Sequence, residues 1–204
     1  MSLKLLPPRT NEPKESFSTI ISEEHAAEIS SWIDRRTITY STTNVPYKFE
    51  LILRGTKDGF APQTFWNICH DHKGTVVIIK IKGTDEIIGG YNPVAWNNTY
   101  IGGKYEKAID GFIFSLKNGN IQNSILSRVK DSMGSICNVY KGGQNEYGPH
   151  FCDFYLHSKN SDFVSDNINY CANDGYCYEK VIRTSSSNFF SIVNYEVFKV
   201  IRKS

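Results

Sequence analysis

The feature that most constrains the fold is a run of Val and Ile at residues 75–82. The aliphatic residues stand at consecutive positions, so an extended chain would be apolar on both faces and would need cover on both. A turn through residues 83–85 leads into residues 86–91, which are again rich in Ile and Gly. We therefore predict a hairpin that lies at the buried centre of a β-sheet.

Much of the remaining chain is also typical of strands. Phe49, Leu51 and Leu53 alternate with polar residues, as in a half-buried strand. Residues 121–130 fit a short helix and a strand almost equally well. Further runs bounded by Gly, Asn, Asp or Ser predict strands at 111–116, 135–140, 151–156, 178–182 and 195–201.

Helices are fewer and short. Ser22 can cap a helix over residues 23–33, whose apolar residues recur at helical spacing. Pro62 suits the first position of a second helix over residues 62–70. These patterns predict an α+β, mainly β fold, in which two antiparallel sheets form a β-sandwich flanked by short helices.

Composition and charge exclude several classes of protein. The chain has 204 residues and a net charge of +2, which argues against a nucleic-acid partner. Its apolar runs are far shorter than the roughly 20 residues of a membrane-spanning helix, so direct membrane insertion is not expected. Residues 1–17 are expected to be a linker or disordered segment, and residues 18–204 one domain. The N-terminus lacks the apolar region of a secretory signal, which favours a cytoplasmic location.

No motif for catalysis or cofactor binding is present in the sequence, so we predict a non-enzymatic domain without a cofactor. Residues 69–72 read Cys-His-Asp-His, but their spacing does not fit a structural zinc site. Cys171 and Cys177 are too far apart in sequence for a Cys-x-x-Cys redox motif. The odd count of five cysteines favours reduced thiols over disulfides.

A short segment after the first predicted strand has the residues of a structural turn. Arg54 and Asp58 bracket it, and Gly59 can adopt a positive φ. An Asp in such a turn accepts hydrogen bonds from nearby backbone amides. We predict an ion pair or a turn lock here rather than a catalytic role.

The order of motifs along the chain resembles the TLDc domain of the oxidation-resistance family, over about residues 18–200. The segments that carry the resemblance are 49–60 (FELILRGTKDGF), Phe65, Cys69, 73–80 (KGTVVIIK), 88–91 (IGGY), Trp96, 110–116 (DGFIFSL), 147–151 (YGPHF) and 195–198 (YEVF). The residues that match the family's structural motif are Arg54, Gly55, Asp58, Gly59, Gly89, Gly90, Gly148, Pro149 and Glu196.

The resemblance implies a β-sandwich and a function without a known catalytic centre. It implies a role in resistance to oxidative stress and, as in several members of the family, binding to the vacuolar proton-pumping ATPase. It further implies that this can be the C-terminal domain of a longer protein with an N-terminal BTB domain.

Two functional hypotheses follow. In the first, the chain is a protein-interaction module, and Trp96 and Tyr100 in an Asn- and Gly-rich loop are candidate interface residues, with core packing as the alternative for each. In the second, the chain is a thiol antioxidant that acts through exposed cysteines. The candidates for that chemistry are Cys69, Cys152, Cys171 and Cys177.

Overall fold

The computed structural model describes residues 16–130, 134–183 and 185–204. These residues form three α-helices and twelve strands, with short 3₁₀ turns at Thr42–Asn44 and Lys141–Gly143. The helices are α1 (Glu23–Ile33), α2 (Gly55–Asp58) and α3 (Pro62–Cys69). The strands are β1 (Tyr47–Arg54), β2 (Thr75–Ile81), β3 (Ile87–Asn92), β4 (Lys104–Glu106), β5 (Phe112–Leu116), β6 (Ile125–Arg128), β7 (Ile136–Asn138), β8 (Tyr147–Phe151), β9 (Phe154–His157), β10 (Asn169–Cys171), β11 (Phe189–Phe190) and β12 (Ile192–Arg202).

The strands pair antiparallel in three sheets. The large sheet has the order β1-β12-β2-β3-β5-β6, and the small sheet has the order β11-β10-β9-β8. The third sheet is the pair β4-β7. The mainly β fold and its antiparallel pairing are as expected, whereas the expected count of two sheets is not met.

The large sheet is buried on both faces, as the run at residues 75–82 predicts. Val76 and Ile78 of β2 pack in a cluster with Ile29 of α1, while Val77 and Ile79 pack in a second cluster that contains α3 and the small sheet. Alternate residues of one strand therefore reach two different layers, as strand geometry requires. The large sheet forms the middle of the molecule.

The local predictions for the hairpin and the two longer helices are confirmed. Thr75 pairs with Asn92 and Lys80 with Ile87 across the predicted turn. The Oγ of Ser22 accepts a hydrogen bond from the backbone N–H of His25, which caps α1. Helix α3 begins at Pro62. The first residue of a helix donates no hydrogen bond within the helix, so proline, which lacks an N–H, is tolerated there.

Two strand predictions are wrong, and one open alternative is decided. Residues 151–156 do not form one strand, because the chain turns at Cys152 and Asp153 between β8 and β9. Residues 178–182 form only an isolated bridge from Tyr178 to Val129. Within residues 121–130, the structure has strand β6 rather than a helix.

Most of the expected linker at residues 1–17 lies outside the described residues. At its end, the ring of Phe17 packs 6.0 Å from that of Phe198 in β12. Within the described residues, no helix has the length and apolar character needed to cross a bilayer.

Candidate interaction surface

The predicted turn after β1 is a short helical turn, α2, that Asp58 closes. The backbone N–H of Arg54 donates to Oδ2 of Asp58 at 2.8 Å, and Gly59 has a φ of +105°. A non-glycine residue would be strained at that φ. The turn lock is therefore present, but the ion-pair partner of Arg54 is a different carboxylate.

That partner is Glu196 of β12, which is fully buried. Its Oε1 lies 2.7 Å from Nε of Arg54 and accepts a hydrogen bond from the backbone N–H of Thr19 at 3.0 Å. The hydroxyl of Ser18 donates to its other carboxylate oxygen. One buried carboxylate thus connects β12, the end of β1 and the segment before α1, which makes it a structural element rather than an exposed site.

The remaining residues of the structural motif allow close packing. A Cβ on Gly90 would overlap the ring of Phe151, and one on Gly148 would overlap the ring of Phe163. A Cβ would also overlap neighbouring atoms at two further motif glycines, Gly55 and Gly89. The motif residue Pro149 is buried in β8.

The structure places the two candidate interface residues in different environments. Trp96 is fully buried among Phe65, Trp66 and Phe151, and its indole N–H donates to Oγ1 of Thr75 at 2.8 Å. The core alternative is therefore the correct one for Trp96, because a buried side chain cannot contact a partner of the folded domain. Tyr100 is half-buried, and its hydroxyl lies 3.2 Å from Oε1 of Glu106.

The expectation of reduced thiols is wrong for two of the five cysteines. Cys152 and Cys177 form a disulfide, with Cα atoms 6.3 Å apart. The free cysteines Cys69, Cys137 and Cys171 are buried. Burial raises the pKa of the Cys137 thiol to about 11 and that of the Cys171 thiol to about 12, so neither forms a reactive thiolate at neutral pH.

Residues 69–72 do not gather into a metal site. His70 makes a bridge with Trp96, and its Nδ1 accepts a hydrogen bond from the backbone N–H of Asn98 at 3.3 Å. Cys69 faces the core, and burial raises the pKa of its thiol. The segment therefore holds the loop that contains Trp96.

The small sheet carries aromatic side chains on the face that points away from the core. Along β9, Phe154 and Leu156 are buried in the core, whereas Tyr155 and His157 point outward and are half-buried. The same alternation in β11 buries Phe190 and leaves Phe189 50% exposed. We call the outward side chains of this sheet the aromatic face; they are those of Tyr147, His150, Tyr155, His157, Tyr170 and Phe189.

The rings of the aromatic face are in contact across strands. Tyr147 stacks on His157 with ring centroids 4.3 Å apart, and His150 lies 4.6 Å from Tyr155. Tyr155 stacks on Tyr170 at 5.1 Å. Phe189 lies 5.7 Å from Tyr170 at the far edge. Such pairs stabilise a sheet beyond the area that they bury.

The two imidazoles of the aromatic face are poor bases. Burial lowers the pKa of His150 to about 4, with a smaller effect from nearby His157. Burial also lowers the pKa of His157, although the carboxylate of Glu146, 3.9 Å away, acts in the opposite direction. Both side chains are therefore neutral at pH 7, and the face has little charge there.

Sequence reasoning missed this surface. Residues 154–157 read Phe-Tyr-Leu-His, an alternation of apolar residues with Tyr and His that is a signal for a strand with a ring-bearing outer face, but the prediction of one strand over 151–156 concealed it. The partners of Tyr155 come from β8 and β10, so only strand pairing brings them together.

The sequence model of the TLDc domain matches residues 14–201 of the chain. The match thus includes the Arg54–Glu196 pair and all four strands of the small sheet. No curated protein sequence gives a significant match. Because the matched region covers nearly all of the 204 residues, the chain belongs to the TLDc domain family.

Proposed function

We propose that this chain is a non-catalytic protein-interaction domain and that the aromatic face of the small sheet is its binding surface. The observation that carries the proposal is the continuous row of rings on the outward side of that sheet, from His157 and Tyr147 to Phe189. Aromatic residues are enriched at protein interfaces, and Tyr is common among residues that dominate binding energy.

The surroundings of the aromatic face support a protein partner. Stacked rings have few rotamers to lose on binding, so the entropy cost of ordering them is small. Charges of both signs border the face: Glu146, Lys159 and Asp166 all lie close to His157. An aromatic centre with a mixed polar rim is typical of protein interfaces, whereas a nucleic-acid surface would be strongly basic.

Membership of the TLDc family leads to a more specific proposal. We propose that the partner is the vacuolar proton-pumping ATPase and that the interaction contributes to protection against oxidative stress in the cytoplasm. The support is the family's implied partner together with a surface suited to a large protein. Tyr100 is retained as a candidate contact, because it is half-buried on the loop before β4, the strand that also bears Tyr105.

The alternative of a thiol antioxidant receives little support from the three free cysteines. They are buried and their thiol pKa values are raised, so peroxide would meet no exposed thiolate there. The Cys152–Cys177 pair is the place in the described residues where thiol and disulfide could interconvert.

The test is binding of the purified ATPase to the immobilised chain, with single substitutions on the aromatic face. We expect Tyr155→Ser and Tyr170→Ser each to weaken binding about tenfold or more, as for central aromatic residues of interfaces. Tyr100→Ser tests the loop candidate in the same assay. Far-ultraviolet circular dichroism and thermal melting show whether each variant is folded.

The matched control is Tyr40→Ser. Tyr40 is also half-buried, and its hydroxyl donates to Asp34 at the end of α1, on the opposite side of the large sheet from the aromatic face. Binding should be unchanged in this variant. Equal affinity of the wild type and the two folded aromatic-face variants would exclude the aromatic face as the binding surface, and failure of the wild type to bind would exclude the ATPase as the partner.

A further inference from the structure

The turn between β8 and β9 contains two potential metal ligands, Cys152 and Asp153, and a later loop brings a third, Cys177, next to them. Among the residues that the structure describes, Cys152, Asp153 and Cys177 are the only group of three such residues whose ligand atoms all lie within 4.8 Å of one another. Asp153 is 5% exposed and Cys177 is 2% exposed. Two of the three residues are therefore buried, and the third, Cys152, is half-buried.

The carboxylate of Asp153 organises the loop that contains Cys177. It accepts hydrogen bonds from the backbone N–H groups of Tyr176, Cys177 and Tyr178 at 2.9, 2.9 and 3.1 Å. Oδ1 accepts a hydrogen bond from Cys177 alone, while Oδ2 accepts from Tyr176 and Tyr178 and shares the N–H of Cys177 at 3.2 Å. Asp153 therefore holds the loop and Cys177 by contacts that do not involve the sulfur atoms, and Oδ1 keeps a lone pair free for a cation.

We propose that, when the Cys152–Cys177 disulfide is reduced, the two thiolates and the carboxylate of Asp153 bind one Zn²⁺, and that formation of the disulfide releases it.

Ligand chemistry favours zinc. Thiolates bind Zn²⁺ at about 2.3 Å, and a carboxylate oxygen is a common further ligand. Two sulfurs at tetrahedral positions are about 3.8 Å apart. With the Cα atoms 6.3 Å apart, small side-chain rotations can bring the sulfurs to this distance. The same backbone conformation is therefore compatible with the disulfide and with the zinc-bound form. Cavity water can supply the fourth ligand, since Cys152, Asp153 and Cys177 line a surface cavity of about 470 Å³.

Charge balance points to the same ion. Two thiolates and one carboxylate carry three negative charges, which is too many for a buried group without compensation. Lys130, whose Nζ donates to the carbonyl of Gly175 at 2.7 Å, supplies one positive charge nearby. A divalent cation supplies the other two, so the complete site is neutral.

The chemistry balances with ordinary cellular reagents. Two equivalents of a monothiol reductant of the glutathione class reduce the disulfide and become one disulfide themselves. The two thiols then bind Zn²⁺ and release two protons. In the reverse direction, hydrogen peroxide and two protons oxidise the two zinc-bound thiolates to the disulfide, forming two waters and free Zn²⁺.

Cobalt(II) titration of the reduced chain under anaerobic conditions provides the test. We expect one Co²⁺ per chain, with the near-ultraviolet thiolate-to-cobalt band and the visible bands of a tetrahedral site, and displacement of Co²⁺ by one Zn²⁺. Hydrogen peroxide should then release one Zn²⁺ for each disulfide formed, as measured with a chromophoric zinc indicator and by thiol counting. The oxidised chain should bind neither ion at this site.

Variants separate this site from the other thiols. Cys152→Ser should abolish the thiolate-to-cobalt band or reduce it to that of a single thiolate, and Asp153→Asn should weaken zinc binding at least about tenfold. Cys69→Ala is the matched control, because Cys69 is a buried thiol outside the group, and it should bind zinc as the wild type does. An unchanged cobalt spectrum in folded Cys152→Ser, or no metal bound by the reduced wild type, would overturn the proposal.

Discussion

The large and the small sheet are built on the same alternation of side chains but differ in what covers them. The large sheet has a layer on each side: α1 on one face, and α3 with the small sheet on the other. The small sheet packs Phe151, Phe154, Leu156 and Phe190 against the core, whereas its outward face is covered only in part, where Tyr105 of β4 lies 6.2 Å from His150. Both faces of the large sheet are therefore in the core, whereas only one face of the small sheet is.

The difference shows where this fold can hold a function. Aliphatic residues dominate both faces of β2, and changes there affect stability before anything else. On the small sheet, Tyr and His replace aliphatic residues on the outward face, so the rings can pack together and still offer polar atoms to a partner. Substitutions in the two sheets should thus separate stability from binding.

The largest expected loss of stability is that of Trp96→Ala, which changes the core rather than the aromatic face. Removing a fully buried indole should lower the free energy of unfolding by about 3–5 kcal/mol, and it also leaves the buried hydroxyl of Thr75 without its partner. Urea unfolding followed by tryptophan fluorescence and circular dichroism measures this. A change of less than about 1 kcal/mol would contradict the core placement of Trp96.

Glu196→Gln should have the next largest effect, because it leaves the Arg54 guanidinium, only 13% exposed, without its counter-charge. Breaking a buried ion pair from one side costs about 3–5 kcal/mol, and we expect the lower end because the amide keeps a hydrogen-bond acceptor. The control is Glu50→Gln, which removes the exposed partner of Lys48 and should change urea stability little. Equal stability of the two variants would contradict a structural role for Glu196.

A smaller loss of stability is expected at low pH, because of the histidines of the aromatic face. The folded chain lowers the pKa of His150 from 6.5 to about 4, so the unfolded chain binds more protons in this interval. Stability should therefore fall as the pH drops from 6.5 towards 4, by about 1–2 kcal/mol between pH 7 and pH 5, with a further contribution from His157.

Urea unfolding at pH 7 and pH 5 measures this dependence in the wild type and in His150→Asn. The loss on acidification should be smaller in His150→Asn, because the titrating group is absent. The same loss in both proteins would assign the acid sensitivity to other groups.

The smallest effect on stability is expected from Phe189→Ser. Phe189 is half exposed at the edge of the aromatic face, whereas its neighbour Phe190 is 3% exposed and points into the core. Phe189→Ser should lower stability by about 1 kcal/mol or less but weaken partner binding, and Phe190→Ser should lower stability by about 3 kcal/mol. Equal melting temperatures in these variants would contradict the assignment of the two faces.

The strongest local patterns in the sequence were the ones that predicted structure correctly. The β2–β3 hairpin, the cap at Ser22 and the start of α3 at Pro62 depend on residues close together in the chain. The strand predicted at 151–156 failed because apolar residues continue through the turn at Cys152 and Asp153. Periodicity alone does not show where an apolar run reverses direction.

The cysteines and the interface candidates illustrate a different limit. Composition favoured reduced thiols, yet Cys152 and Cys177, separated by 25 residues, meet in space. Trp96 lies in a loop of polar residues, yet it is buried because that loop folds back onto α3 and β8. In both cases, residues far away in sequence decide the environment.

The sequence by itself determined the mainly β fold, its buried central hairpin and its membership of the TLDc family, because these follow from local alternation, turn residues and the order of motifs. Only the tertiary structure decided which side chains meet. Arg54 and Glu196 are 142 residues apart, and the aromatic face is assembled from four strands. The physical reason is that strand pairing and layer packing bring together residues that no local pattern relates, and those contacts set burial, charge and exposure.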